Sequence, residues 1–484
     1  MQEVFQADTS QALPPPALVV DLDGTLIRTD LLWESVLPAV RANPLVLFLL
    51  PLWLLRGRAY LKDQLVRRVH LDVVTLPYRD DVLQQIALAR GNGRRVILAT
   101  ASHRKLAEQV ATHLECFDSV LATGAGINLK GAIKAREIEA HLGGQNFDYI
   151  GDSTSDIPVW QRCRQPIVVA SSKTLVAAAS RGETPAVVLR EPRIRMRTVV
   201  KMLRIHQWLK NMLVFVPLVA AHDFTLDKIA AAITAFVAFG LCASSVYVLN
   251  DLFDLEADRK HERKRHRALA SGAIPIRYGL AAIPVLLAAS LALTLTLPPL
   301  FLATMVAYYV STMVYSWWAK RRVIVDVIML AGLYTLRLLA GCAATGIAPS
   351  FWLLALSDFI FLSLALVKRY SELVRLAEAG AGTAPGRDYV ISDMAVLLAM
   401  GVASGFCSVL VMAMYINSPD VLAHYTEPRG LWAICPLLLF WLARLWIKCH
   451  RGEVHDDPVV FAATDKPSLV IGGILMLSLV GANW

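Results

Sequence analysis

Residues 227–261 read DKIAAAITAFVAFGLCASSVYVLNDLFDLEADRKH, an apolar run that ends in regularly spaced carboxylates and then in cations. Crossing about 30 Å of hydrocarbon takes roughly 20 mostly apolar residues, and the run over 227–249 meets that length. Positions 250, 254 and 258 lie four apart, so an α-helix stacks Asn250, Asp254 and Asp258 on one face, with Asp251 and His261 near the stripe. Carboxylates at the end of a membrane helix are costly unless they are paired or bound to metal. Hard oxygen ligands of this kind suit a magnesium ion carrying a diphosphate. Lys264 and Arg267 continue the same face, where arginine offers phosphate oxygens a two-pronged grip. A solvated loop of mixed charge is the plain alternative, and the regular spacing argues against it.

Similar apolar segments recur near 205–221, 278–297, 299–318, 323–342, 351–369, 391–416, 430–447 and 467–482, so nine spans are expected in all. Of the 484 residues 56% are hydrophobic and only 18% charged, where soluble domains carry about 25% charged residues. The mean hydropathy is +0.50. A wholly soluble protein is excluded. Basic residues gather after alternate spans: Arg259 to Arg277 after the second, Lys320 to Arg322 after the fourth, Lys368, Arg369, Arg375 and Arg387 after the sixth, Lys448, Arg451 and Lys466 after the eighth. The opposite loops hold little beyond Lys228 and Arg429. By the positive-inside rule this is a multi-pass protein of the cytoplasmic (inner) membrane, with its N-terminal half in the cytoplasm and its carboxyl terminus outside. The net charge of +9 is therefore a topology signal, and no nucleic-acid partner is expected. The seven cysteines are scattered without a CxxC pair, which fits a reducing compartment. Trp317, Trp318 and Trp352 read as interface belts.

The hydrophobic excess belongs to the part after residue 200. Residues 1–16 are polar and proline-rich and read as a disordered leader. Leu18-Val19-Val20 then leads into Asp21-Leu22-Asp23-Gly24-Thr25, an apolar strand that ends in two carboxylates on one side. A second strand, Arg95 to Ala99, ends at Thr100-Ala101-Ser102, and a third, Phe147 to Ile150, at Gly151-Asp152-Ser153-Thr154-Ser155-Asp156. Lys130 and Lys134 open a helical stretch between them. Open α/β sheets bind ligands at the carboxyl ends of their strands. The gathered groups suit phosphoryl transfer: a carboxylate nucleophile, ligands for magnesium, and a cation and a hydroxyl for phosphate oxygens. The short apolar run Pro44 to Leu55 cannot span, and reads either as a buried helix or as one dipping into the bilayer surface.

These four ordered motifs resemble the haloacid dehalogenase superfamily of phosphatases over about residues 16–190. The resemblance implies an α/β Rossmann-like domain over 17–190 with a helical cap over about 30–90. It implies that Asp21 attacks phosphorus and that Asp23 protonates the leaving group and then activates water. Thr100 and Lys134 would hold the phosphate, with Ser102 and Lys130 as alternatives. Asp21, the Asp23 carbonyl and Asp152 would bind Mg2+, supported by Asp156.

The stretch NDLFDLEADRKHERKRHRALASG resembles the signature of the UbiA superfamily of intramembrane prenyltransferases. The resemblance is closer to its decaprenyl-phosphate phosphoribosyltransferase branch, through Leu203 to Asn211, Tyr315 to Asp326, Lys368 to Leu373 and, more weakly, Gly386 to Tyr389. It implies an all-α membrane domain of about nine helices over 191–484. Asn250, Asp251, Asp254 and Asp258 would hold Mg2+ and pyrophosphate, with Asp251 and Asp254 counted as catalytic. Lys210, Asn211, Lys264, Arg267, Lys320, Arg322, Asp326 and Arg337 would bind substrate. Arg337 is a site candidate by its depth alone, although snorkelling or pairing with Asp326 is the plain alternative. Leu330 stands where aromatic prenyltransferases usually carry a second acid, and Ala268 replaces the usual proline after the arginine. The branch implies transfer of 5-phosphoribose from phosphoribosyl pyrophosphate to a polyprenyl phosphate. The N-terminal half would then remove the 5-phosphate, yielding a lipid-linked pentose for cell-wall polysaccharide. The alternatives are prenyl transfer to an aromatic or other small acceptor beside an unrelated phosphatase, and a transporter or anchor with a regulatory domain. A homo-oligomer is compatible with the sequence, which leaves oligomeric state open.

Overall fold

In the computed structural model, which describes residues 15–124, 128–170, 172–181, 184–378, 380, 387–418, 421, 428–454 and 457–481, the N-terminal half is built on six parallel strands. They are β1 (Ala17–Val20), β2 (Val96–His103), β3 (Ser119–Thr123), β4 (Phe147–Gly151), β5 (Gln165–Val169) and β6 (Val187–Leu189), ordered β3-β2-β1-β4-β5-β6. Alternate residues feed two cores. Leu18, Val20, Val96 and Leu98 pack on one face, and Ala17, Val19, Ile97 and Tyr149 on the other. Strand order reverses between β1 and β4, which places a crevice at their carboxyl ends. Four helices separate β1 from β2: Leu31–Ala42, Val46–Leu55, Arg58–Val66 and Asp80–Gly91. The expected leader falls almost wholly outside the described residues.

The chain divides into two compact units, and the division departs from the linear boundary near 190. Val248–Ala281 belongs with the residues up to Met202, and the rest forms the second unit. Within the first unit, Arg259 grips Glu34 with two hydrogen bonds of 2.6 and 3.1 Å, both side chains being buried. Arg41 pairs with Asp254 at 3.2 Å, and Lys260 with Asp72 at 2.9 Å. Gly272, at φ +70°, passes so close to Arg28 that an added Cβ would stand 2.6 Å from its Cβ.

Among the described residues seven helices are long and apolar enough to cross a membrane: Leu226–Phe253, Ile276–Thr294, Pro299–Trp317, Val325–Thr345, Phe351–Glu378, Ile391–Ile416 and Gly430–His450. An eighth is counted if Pro458–Thr464 and Lys466–Leu475, bent by 83°, form one broken span. The nine expected spans are thus seven or eight by this measure. The segment 205–221 differs because it is no single α-helix. Arg204 turns the chain at φ +51°, Ile205–Phe215 is wound as a 3-10 helix, and Val216–Ala221 resumes as α-helix with Pro217 in its first turn. A 3-10 helix rises about 2 Å per residue, against 1.5 Å for an α-helix, so the segment still reaches about 30 Å. It lies close against Val325–Thr345, where a Cβ on Gly341 would stand 2.2 Å from the Val214 carbonyl oxygen.

Candidate active sites

The first site sits at the β1/β4 crevice. The Asp21 amide is held by the Ile150 carbonyl at 3.0 Å, so the carboxylate emerges at the strand end. Lys134, in the helix Ala132–Leu142, is buried and places Nζ 2.8 Å from Asp21 Oδ1, 2.9 Å from the Tyr149 hydroxyl and 3.3 Å from Asp156 Oδ1. Asp156 also accepts from the Tyr149 hydroxyl at 2.7 Å and from the amide and hydroxyl of Ser153 at 3.1 and 2.9 Å. Asp23 accepts from the Leu31 amide at 2.8 Å and from the Ser102 hydroxyl. Thr100 is fully buried, its hydroxyl oxygen accepting the Ser102 amide at 3.0 Å. Gly24, at φ +76°, leaves the space beside Asp152 that a Cβ would fill, 2.2 Å from Oδ2. Lys130, the alternative to Lys134, is exposed.

Burial raises the Asp21 carboxyl to about 6, against the opposing pull of Lys134. Asp23 is pushed up to about 7, by burial and then by the Asp30 carboxylate. Burial, reinforced by Asp21 and Asp156, holds Asp152 well above the usual carboxylate range. For Asp156 burial is outweighed by Lys134, Tyr149 and Ser153, and its carboxyl titrates low. Oxygens of Asp21, Asp152 and Asp156 lie within 4.8 Å of one another. Three hard ligands beside one lysine leave surplus negative charge, which a small divalent cation such as magnesium fits. Two partners were not legible in the sequence. Tyr149 is an internal strand residue, and Lys62 of the cap helix Arg58–Val66 reaches the Ala101 carbonyl at 2.5 Å.

The acidic segment is arranged differently from the expected ladder. Arg267 Nη1 bonds Asp251 Oδ1 at 3.0 Å and Asp258 Oδ2 at 2.6 Å, whereas Asp254 faces Arg41. The helix Leu226–Phe253 ends before Asp254, and Leu255–Lys260 follows. One guanidinium leaves the two buried carboxylates with a negative charge in excess, and among the described residues this segment forms no three-carboxylate cluster like the N-terminal one. In this arrangement Arg267 occupies the space between Asp251 and Asp258 that a shared metal ion would take. Lys264 and Arg322 are exposed, Asn250 and Lys320 half-buried.

The second unit buries a basic cluster of its own. Lys210 Nζ lies 2.6 Å and Lys368 Nζ 3.2 Å from Asp457 Oδ2, and the Tyr334 hydroxyl bonds the same carboxylate at 3.2 Å. Arg337 bonds Asn211 Oδ1 and the Tyr308 hydroxyl, each at 3.1 Å, and stacks its guanidinium on Tyr308, Phe239 and Tyr334. It does not pair with Asp326. That aspartate, fully buried, is held by Arg369, by the Tyr389 hydroxyl at 2.6 Å and by Arg387 at 3.5 Å. Among the described residues Lys210 and Lys368 thus share one carboxylate, Arg337 beside them pairs with none, and the buried Asn211 Nδ2 has no hydrogen-bond partner. Asp457 was missed because it caps a short helix from a polar loop far along the chain.

Residues 212–464 match the family model described as the UbiA prenyltransferase family, and residues 18–161 that of haloacid dehalogenase-like hydrolase. The uncharacterized protein y4nM of Sinorhizobium fredii is 36% identical over 96% of this chain and 90% of its own. The nodulation protein NoeC of Azorhizobium caulinodans is 32% identical over 60% of this chain and 94% of its own. Decaprenyl-phosphate phosphoribosyltransferase of Mycobacterium tuberculosis is 35% identical over 40% of this chain and 66% of its own. Among solved structures, a UbiA homolog from Archaeoglobus fulgidus bound to GPP and Mg2+ is similar at 18% identity and a TM-score of 0.46, over 59% of this chain and 99% of that one.

Proposed function

This chain belongs to the UbiA prenyltransferase family, with a haloacid dehalogenase-like domain ahead of its membrane part, and from that premise we propose a bifunctional enzyme. The membrane part transfers 5-phosphoribose from phosphoribosyl pyrophosphate to a polyprenyl phosphate, releasing pyrophosphate. The N-terminal domain then removes the 5-phosphate, on the cytoplasmic side of the inner membrane, and the product is a lipid-linked pentose for envelope polysaccharide. The observation that carries the reading is the buried cluster around Tyr334, where Lys210, Lys368 and Arg337 exceed Asp457 in charge and Asn211 keeps an unused donor. Unbalanced cations in an apolar interior call for an anionic ligand, and a phosphate supplies both the charge and the missing acceptor. Similarity to a protein named for phosphoribosyl transfer to decaprenyl phosphate supports the choice of substrates.

In the N-terminal site Asp21 attacks phosphorus, and the proton on Asp23 passes to the departing ribose oxygen. Its raised pKa, about 7, keeps Asp23 partly protonated near neutrality, as a general acid requires. Water, giving its proton back to Asp23, then breaks the bond between Asp21 and phosphorus and releases inorganic phosphate. Lys134 holds the phosphate oxygens and orients Asp21. Magnesium, held by Asp21 and Asp152 with Asp156 in support, would neutralise the phosphate charge. For the membrane site no step is assigned to a metal ion, because Arg267 closes the carboxylates Asp251 and Asp258.

Purified protein given labelled phosphoribosyl pyrophosphate and polyprenyl phosphate is expected to yield a labelled ribosyl lipid. Asp21→Asn is expected to accumulate its phosphorylated precursor instead. The absence of any labelled lipid, or consumption of a prenyl diphosphate in its place, overturns the transferase reading. An unchanged product from Asp21→Asn removes the phosphatase step.

A further inference from the structure

The helix Val46–Leu55 is apolar on every side. Val46, Leu50 and Trp53, spaced as one inward stripe, pack on Val36, Ala39, Leu61 and Leu65 of the cap. Among the described residues nothing covers the other face: Phe48 is 73% exposed, Leu52 57% and Leu55 85%, with Leu47, Leu49 and Leu54 beside them. A soluble domain rarely shows a patch of this kind without a partner for it. Along the sequence the charges that flank it are of one sign, although Arg41 also pairs with Asp254 and Arg67 with Asp63. Arg41 precedes the helix, Arg56 and Arg58 follow it, Arg67 and Arg68 close the next helix, and no acidic residue occurs between Glu34 and Asp63. All five arginines are exposed.

We propose that Val46–Leu55 lies in the interface of an anionic lipid bilayer, fastening the cap of the phosphatase site to the membrane that holds its substrate. An apolar face with flanking cations is the pattern that sinks leucines to the acyl boundary while arginines meet lipid phosphates. Ten residues of α-helix measure about 15 Å, which suits lying in the interface and excludes crossing. The chain is anchored by its long apolar helices, so a bilayer is always at hand. The next helix, Arg58–Val66, carries Lys62, whose Nζ reaches the Ala101 carbonyl beside Asp23, so one short hairpin joins the lipid surface to the catalytic crevice. The statement about substrate rests on the phosphatase reading above; the statement about the helix does not.

The test uses the full chain in nanodiscs of phosphatidylcholine and phosphatidylglycerol holding one copy each. An environment-sensitive fluorophore is attached at Phe48→Cys or Leu52→Cys, with Leu88→Cys, equally exposed on the helix Asp80–Gly91, as reference and the unsubstituted chain as labelling background. Nitroxide-bearing lipids are expected to quench positions 48 and 52 at least threefold more than position 88. Equal quenching overturns the proposal, as does quenching that appears only when several copies share a vesicle, which makes the patch a self-association surface. In a second arm, Phe48→Ser with Leu52→Ser is expected to raise KM at least fivefold for a bilayer-held phosphoribosyl lipid and to leave hydrolysis of ribose 5-phosphate unchanged. If neither substrate is hydrolysed while quenching persists, the phosphatase reading fails and the interfacial helix stands; if hydrolysis persists without quenching, the reverse holds.

Discussion

Lys134 shows how one side chain can carry both the order and the chemistry of the N-terminal site. Its ammonium lies among Asp21, Asp156 and Tyr149, all buried, and those carboxylates together raise its pKa despite burial. Removing one partner from such a buried set leaves the rest uncompensated, at about 3 kcal/mol or more. Lys134→Met is therefore expected to lower phosphatase turnover by about 10²-fold or more and to speed amide exchange in β1 and β4, with transferase turnover unaffected; near-normal exchange and hydrolysis together would refute this role. The gathering of Asp21, Asp23, Lys134, Asp152 and Asp156 was legible because each stands just past a strand or near a helix start with a local signature, and Thr100 because it follows an apolar run, although its strand continues to His103. Tyr149, Lys62 and Asp457 were not. Each looks ordinary among its neighbours in sequence and gains its meaning only across a tertiary contact, 247 residues long in the case of Lys210 and Asp457.

Elements were legible where hydrophobic length decides them and obscure where backbone detail does. The seven long helices coincide with apolar runs, whereas the first expected span is wound as a 3-10 helix before Pro217 and the last forms the short helix Lys466–Gly481, set at a bend from Pro458–Thr464. The acidic ladder went astray for a geometric reason, since a four-residue spacing fixes a stripe only while the helix continues, and this one breaks at Asp254. Gly341 ties the unusual segment to its neighbour, because its missing Cβ admits the Val214 carbonyl. Gly341→Ala forces backbone from backbone, a strain of about 1–3 kcal/mol. Gly332, in the same helix Val325–Thr345, has open space around its Cβ position. Thermal unfolding in detergent is expected to fall by several degrees for Gly341→Ala and to stay within about a degree for Gly332→Ala, while equal shifts would show that the close approach is not what matters.

At the scale of the whole molecule, the grouping of Val248–Ala281 with the N-terminal half constrains topology. Glu34 with Arg259, Arg41 with Asp254 and Arg28 with Gly272 are contacts within one compact unit, so both partners of each pair must lie on the same side of the membrane. Between Met202 and Val248 the chain must therefore cross an even number of times. The helix Leu226–Phe253 is one crossing. The only other segment available is 205–221, whose mixed 3-10 and α winding reaches about 30 Å and so suffices for the second. Parity thus restores as a crossing the segment that helix length alone rejects, and it agrees with the expectation from charge that the basic residues 259–277 lie on the cytoplasmic side. The turn at 222–225 is then expected on the face opposite to the phosphatase domain. A membrane-impermeant maleimide applied to intact spheroplasts should label Thr225→Cys and spare Arg263→Cys, both exposed positions, and inverted vesicles should give the opposite pattern. Labelling of both positions from the same face would mean that 205–221 does not cross and that the pairing of Arg259 with Glu34 cannot form in the membrane.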